Sequence, residues 1–185
     1  MHNVRFATSN PHKVAEANIV GKEYGIRFEQ LKVPYPEIRD ESVSVVAEDG
    51  ARFVYAKVAG PIIVEDTGLF IDSLKGFPGA YSAFAYRKVG CRGILKLLSG
   101  EKNRKAHFTS AVGYCDQDGT KVFEGAIGGR IATEEGGSGG FGFDSIFIPK
   151  GFEKTFGEDP ETKMQVSHRR LAFVKFCDWL TEGYR

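Results

Sequence analysis

The sequence predicts an α/β fold in which a twisted mixed β-sheet is covered by helices, as one domain spanning residues 1–185. Three observations lead there. Runs rich in β-branched and aromatic residues mix with helix-spaced runs, without strict alternation, which points to a mixed sheet. Apolar residues make up 42% of the 185 positions, enough for a full core. No linker and no internal repeat divides the chain.

The elements follow in order. Residues 4–8 read as a first strand. Asn10 is a good helix N-cap and Pro11 suits the first helical position, where a missing N–H costs nothing. Val14, Ala17 and Val20 recur at helical spacing, and Gly25 ends the helix. Residues 27–31 form a second strand. Pro34 and Pro36 stiffen the segment that carries Glu37. A helix is expected over 44–59, weakened locally by Gly50 and stopped by Pro61. A buried strand then runs through Ile62, Ile63 and Val64 into Glu65 and Asp66, and turns at Thr67 and Gly68. Gly76 to Ala80 is a turn-rich connector, and Ile94 to Leu98 mark a short helix ending at Gly100. Strands over 106–115 and 121–133 are joined by the hairpin signal Asp118-Gly119. The glycine-rich stretch 136–142 leads into a strand at Ile146, Phe147 and Ile148. Residues 151–163 read as irregular. Ser167 caps a last helix with the apolar stripe Phe173, Phe176, Cys177 and Leu180.

Composition excludes several function classes. Basic residues number 25 against 24 acidic, a formal charge of +1, so no bulk charge calls for nucleic acid or an anionic membrane. Three scattered cysteines make neither a disulfide framework nor a zinc site, and suit a reducing compartment. No apolar run approaches the ~18 residues that span a bilayer. The expectation is a soluble cytoplasmic protein.

The chemistry is expected where the central strand meets acid. Neighbouring strand residues point to opposite faces, so Glu65 and Asp66 cannot both serve one site on a regular strand. Asp66 is the expected working group. Two helix N-termini carry cations: Lys13 on the first helix, and His168, Arg169 and Arg170 on the last. That sign opposes the helix dipole and makes sense if an anion binds there. An anion beside a carboxylate needs a metal. Mg²⁺ takes one or two carboxylates with phosphate oxygens, which makes Asp66 and Glu37 the candidate ligands. Gly137 to Gly142 fits GxGxxG literally, but a strand follows it and no helix, so a dinucleotide fold is rejected. Phe141 either stacks on a flat ligand or belongs to the core. Lys102 to His107 read as a solvated basic loop. Tyr81, Tyr86 and Trp179 read as packing residues.

Taken together, Thr8-Ser9-Asn10-Pro11-His12-Lys13, Pro36-Glu37, Glu65-Asp66-Thr67-Gly68-Leu69, Gly76-Phe77-Pro78-Gly79, Phe141-Gly142-Phe143-Asp144 and Ser167-His168-Arg169 resemble the inosine triphosphate pyrophosphatase family. The resemblance covers nearly the whole chain. It implies a long twisted sheet, two lobes around a central cleft, and a homodimer. It implies Mg²⁺-dependent hydrolysis of ITP, dITP and XTP to the monophosphate and pyrophosphate. By position, Thr8, Ser9, Asn10, His12 and Lys13 would hold phosphates, and Glu37 and Asp66 the metal, with Asp66 also accepting the proton of the attacking water. Thr67, Phe141, Gly142, Phe143, Asp144, Lys163, His168 and Arg169 would contact the nucleotide. Donors at Lys163, His168 and Arg169 would suit the 6-keto oxygen of inosine and xanthine and leave adenine unmatched. One departure stands out: the family usually has Lys where Gly50 falls here, with Arg52 and Lys57 as candidate replacements. Rival readings are a related pyrophosphatase for pyrimidine or modified bases, and a non-catalytic nucleotide or nucleic-acid binder.

Overall fold

The computed structural model describes residues 2–183. The chain runs β1 (His2–Ala7), α1 (Pro11–Glu23), β2 (Ile26–Leu31), α2 (Val43–Tyr55), β3 (Ile62–Ile71), β4 (Pro78–Gly79), α3 (Ser82–Leu97), β5 (Lys105–Asp116), β6 (Gly119–Ile131), β7 (Phe147–Pro149), α4 (Pro160–Val166) and α5 (His168–Glu182). Among the described residues one seven-stranded sheet is present, in the order β2-β1-β3-β5-β6-β7, with β4 paired to β3. β2, β1 and β3 are parallel, and β3, β5, β6 and β7 are antiparallel. The mixed sheet expected from the sequence is therefore present.

The two halves have separate cores. Around the parallel half, Phe6, Phe28, Phe173 and Phe176 pack α1 and α5 onto the sheet. Around the antiparallel half, Leu69, Ile71, Ile94, Phe108, Phe147 and Phe156 pack together. β3 and β5 run through both, so the lobes share a continuous floor.

Several expectations are corrected. β3 does not end at its acids; it continues through Thr67 and Gly68 to Ile71, in unbroken register with β5. Gly68 is needed for close approach, because a Cβ there would lie 2.7 Å from the Gly79 carbonyl oxygen of β4. The short helix near Ile94 is the second half of α3, which begins at Ser82 and breaks at Gly90 (φ 61°, ψ −169°). The 3₁₀ turn at 144–146 takes Ile146 out of the last strand. The stretch read as irregular contains the start of α4, capped by Asp159 with Pro160 at its first position. The hairpin between β5 and β6 has Gln117 and Asp118 as its loop, with Gly119 opening the return strand. In the basic run, Arg104 is a structural staple that donates to the carbonyls of Leu98, Ile131 and Ala132.

Candidate active site

A cavity of about 850 Å³ lies between the lobes. The N-terminus of α1 forms part of its wall. Asn10 caps that helix by accepting the His12 N–H at 2.9 Å, which fixes how Lys13 projects. The Lys13 Nζ lies 2.8 Å from a Glu65 carboxylate oxygen and donates to the Glu65 carbonyl at 2.8 Å.

The regular register of β3 separates its two acids, as strand geometry requires. Glu65 is sealed beneath the cavity, where Lys13, Arg169, Ser110 and Thr67 bind its carboxylate. Burial alone would raise its pKa, but the Arg169 and Lys13 charges overcome that and hold it well below the usual carboxylate range. Asp66 lines the cavity, and its Oδ2 is buried with no hydrogen-bond partner. Burial above all raises its pKa; Lys13 pulls it down and Glu65 and Glu37 push it back up, to about 7 in all.

From the opposite lobe, residues 141–144 and α4 contribute the second wall. Gly140 has φ 73°, and a Cβ on it would meet the Asp144 carboxylate at 2.2 Å, so only glycine fits this tight turn. Asp144 accepts the Phe141 N–H at 2.7 Å and pairs with Lys163 at 2.7 Å. Burial raises the Asp144 pKa against the pull of Lys163. Phe141 is half-buried and faces the cavity, which decides against a core role. Lys163 Nζ lies 4.5 Å, and the Arg169 guanidinium 5.3 Å, from its ring centre.

Glu16, on α1, binds Lys163 at 2.6 Å and Arg169 at 2.7 Å. Burial raises its pKa, and Arg169 and then Lys163 reverse that, leaving it below the usual value. Lys13, Lys163 and Arg169 are thus matched by Glu16, Glu65 and Asp144. The wrong-signed charges at the helix tips are balanced from within. Arg170 does not join them; it pairs with Glu23 at 2.8 Å and does not line the cavity. His168 is buried, stacks on Phe108 at 4.5 Å, and has an unpartnered Nδ1. Desolvation first, then the Arg169 and Lys163 charges, hold it neutral.

Asn10, His12, Lys13, Glu37, Asp66, Thr67, Phe141, Gly142, Phe143, Asp144, Lys163, His168 and Arg169 all line this cavity. Thr8 and Ser9 do not. Thr8 instead shapes the loop, accepting the Asn10 N–H at 3.1 Å and the Gln30 amide at its carbonyl. Neither candidate for the missing lysine reaches the cavity: Arg52 pairs with Glu48 on the surface and Lys57 lies over Phe53. At Gly50 itself an added Cβ would lie 3.0 Å from the Tyr35 ring, which fills that space. Tyr81, Tyr86 and Arg87 also line the cavity, with Tyr86 packed edge-on against Phe143. The sequence offered no sign of Glu16, which looks like an ordinary helix-surface acid.

Two carboxylates suit a metal here. The Asp66 Oδ2 is an unclaimed, buried hard-oxygen donor, and exposed Glu37 faces the same cavity. Lys13, Lys163 and Arg169 are already matched by carboxylates, so a divalent ion would add positive charge for a polyphosphate and fits the donor chemistry as well.

Fold and cavity together define an α/β protein with a cleft between two lobes, walled by cations, carboxylates and aromatic rings. The chain belongs to the Ham1 family, which matches residues 4–179. A dITP/XTP pyrophosphatase of Thermococcus kodakarensis is 51% identical over 181 residues, covering 97% of this chain and 98% of that protein. One of Methanopyrus kandleri is 49% identical over 178 residues, covering 95% of each. Among solved structures, the Ham1 protein of Staphylococcus aureus matches with a TM-score of 0.85 at 26% identity, covering 99% of this chain and 100% of that one.

Proposed function

We propose that the chain hydrolyses non-canonical purine nucleoside triphosphates (ITP, dITP and XTP) to the monophosphate and pyrophosphate with Mg²⁺, clearing them from the nucleotide pool. The observation that carries this reading is one cavity with an orphaned carboxylate oxygen, a lysine at a helix tip and a pinned aromatic ring on its walls. Relatives named dITP/XTP pyrophosphatase, matching over nearly their full length, support the same reading. A cytoplasmic homodimer is part of it, resting on the family resemblance. Among the described residues no helix is long and apolar enough to cross a membrane.

Asp66 and Glu37 would hold Mg²⁺. When bound, the ion would offset phosphate charge and lower the pKa of a coordinated water. Asp66, whose Oδ2 has no hydrogen-bond partner, is placed to take a proton. It accepts the proton of a water attacking the α-phosphorus, and pyrophosphate leaves. Lys13 steadies the phosphate charge from the α1 tip. Phe141 supports the base.

Base selection rests on donors that are partly engaged already. Lys163 spends two of its three N–H groups on Glu16 and Asp144. Arg169 spends Nε on Glu65, one N–H on Glu16 and one on Thr67. The remaining donors face a keto oxygen favourably and an adenine amino group unfavourably. Pyrophosphate release from ITP, XTP, GTP, ATP and dUTP, with and without Mg²⁺, tests this. Mg²⁺-dependent release from ITP and XTP is expected, far above ATP. Equal ATP and ITP rates refute the donor arrangement, and binding without release indicates a non-catalytic binder.

A further inference from the structure

His12 is placed by resemblance among phosphate contacts, yet its ring lies elsewhere. The imidazole stacks on Phe141, centroid to centroid 5.3 Å, with the planes 22° apart. That is a contacting aromatic pair, with no space for a third ring between the two. The pair bridges the cavity, joining the first turn of α1 to the loop of the other lobe.

Three groups therefore lie over Phe141: His12, Lys163 and Arg169. Two of them are fixed. Lys163 and Arg169 are buried and tied to Glu16, Glu65 and Asp144. The Phe141 backbone is fixed as well, through Asp144. His12 is exposed, and among the described residues its imidazole makes no hydrogen bond or ion pair. Only its backbone is held, by Asn10. The one group that can leave the platform cheaply is the imidazole.

We propose that His12 is a displaceable cover on the base platform: its imidazole occupies the place of the nucleobase on Phe141 and swings away when a purine stacks there. This rests on the nucleotide reading above. The displaced ring remains on the first turn of α1, beside Lys13, where it can donate an N–H to phosphate. A triphosphate thus regains from His12 what its base lost in displacing it. A nucleoside does not. The cover selects for ligands that carry both a flat base and a phosphate chain, and disfavours free nucleosides.

The test compares wild type, His12→Ala and His12→Phe for binding of inosine and of ITP by calorimetry in EDTA. His12→Ala should bind inosine about 2- to 10-fold more tightly, the range of a lost aromatic pair. It should gain less for ITP. His12→Phe, which keeps a ring able to cover Phe141, should show no gain for inosine. If His12 merely supports the platform, inosine affinity falls in His12→Ala. That fall, an unchanged affinity, or an equal gain in both variants overturns the proposal while ITP still binds. Failure of ITP to bind any of the three overturns the nucleotide reading, and this one with it.

Discussion

Glu65 and Asp66 are sequence neighbours with opposite electrostatic fates. Glu65 is kept ionised by Arg169 and Lys13, and Asp66 is kept near neutrality by burial. Replacing Glu65 with Gln leaves two cations under the cavity with one charge too few. Breaking a buried pair in this way costs about 3–5 kcal/mol, so urea melts of Glu65→Gln should lose about that much. Asp66→Asn should lose about 10²- to 10⁴-fold in turnover while still binding ITP, measured by pyrophosphate release and calorimetry. Near-normal turnover would remove Asp66 from the role of base.

His168 and Asp66 also act on stability with opposite signs. His168 has a folded pKa well below 6.5, so its contribution is present above 6.5 and lost as pH falls. Asp66 is raised from 3.8 to about 7, so its contribution is present below 3.8 and lost as pH rises through 7. Just below pH 6.5 each contributes a slope of up to about 1.4 kcal/mol per pH unit, in opposing directions. In metal-free buffer, His168→Gln should grow more stable on acidification through this window relative to wild type, and Asp66→Asn less stable. Parallel stability curves for the three proteins would contradict these assignments.

At the scale of elements, α3 is the one whose form the sequence concealed. Its first half, 82–89, carries Phe84, Tyr86 and Val89 exposed, so its apolar pattern has no buried stripe to read. Gly90 then breaks the period. The backbone there suits glycine, and any other residue is strained by about 1–3 kcal/mol. No atom lies within 4 Å of an added Cβ, so Gly90→Ala meets strain without a clash. Relief of that strain re-aims Tyr86 and Arg87, both of which line the cavity. Gly90→Ala should therefore raise KM for ITP several-fold with kcat little changed. By contrast, α1 and α5 were readable because local chemistry fixes them: Asn10 and Ser167 cap their first turns as expected. At β3, Gly68 imitates a turn signal, and only the approach of β4 explains it.

For the whole molecule, a ligand in the cavity touches both lobes, so it must stabilise the fold as a unit. At 100 times its Kd, a ligand adds about 2.7 kcal/mol. For a chain of this size that is a rise of roughly 5–10 °C in Tm. A calorimetric scan with saturating ITP in EDTA should show it as a single sharpened transition, and an unshifted melt would mean that ITP does not bind the folded chain. Asp66, Lys13 and Phe141 could be picked out from sequence because each stands in an informative local context. The charge balance could not. Glu16 is separated from Lys163 by 147 positions and from Arg169 by 153, and only the packing of α1 against α5, with α4 on α5, brings them together.

That separation bears on how the protein comes to life. Arg169 follows Glu16 by 153 positions, so their bond cannot form until α5 has been made. Until then Glu16 stands without Lys163 and Arg169, the two cations that offset its burial. The charge balance of the cavity is therefore withheld until α4 and α5 emerge, and a chain stopped before them lacks it.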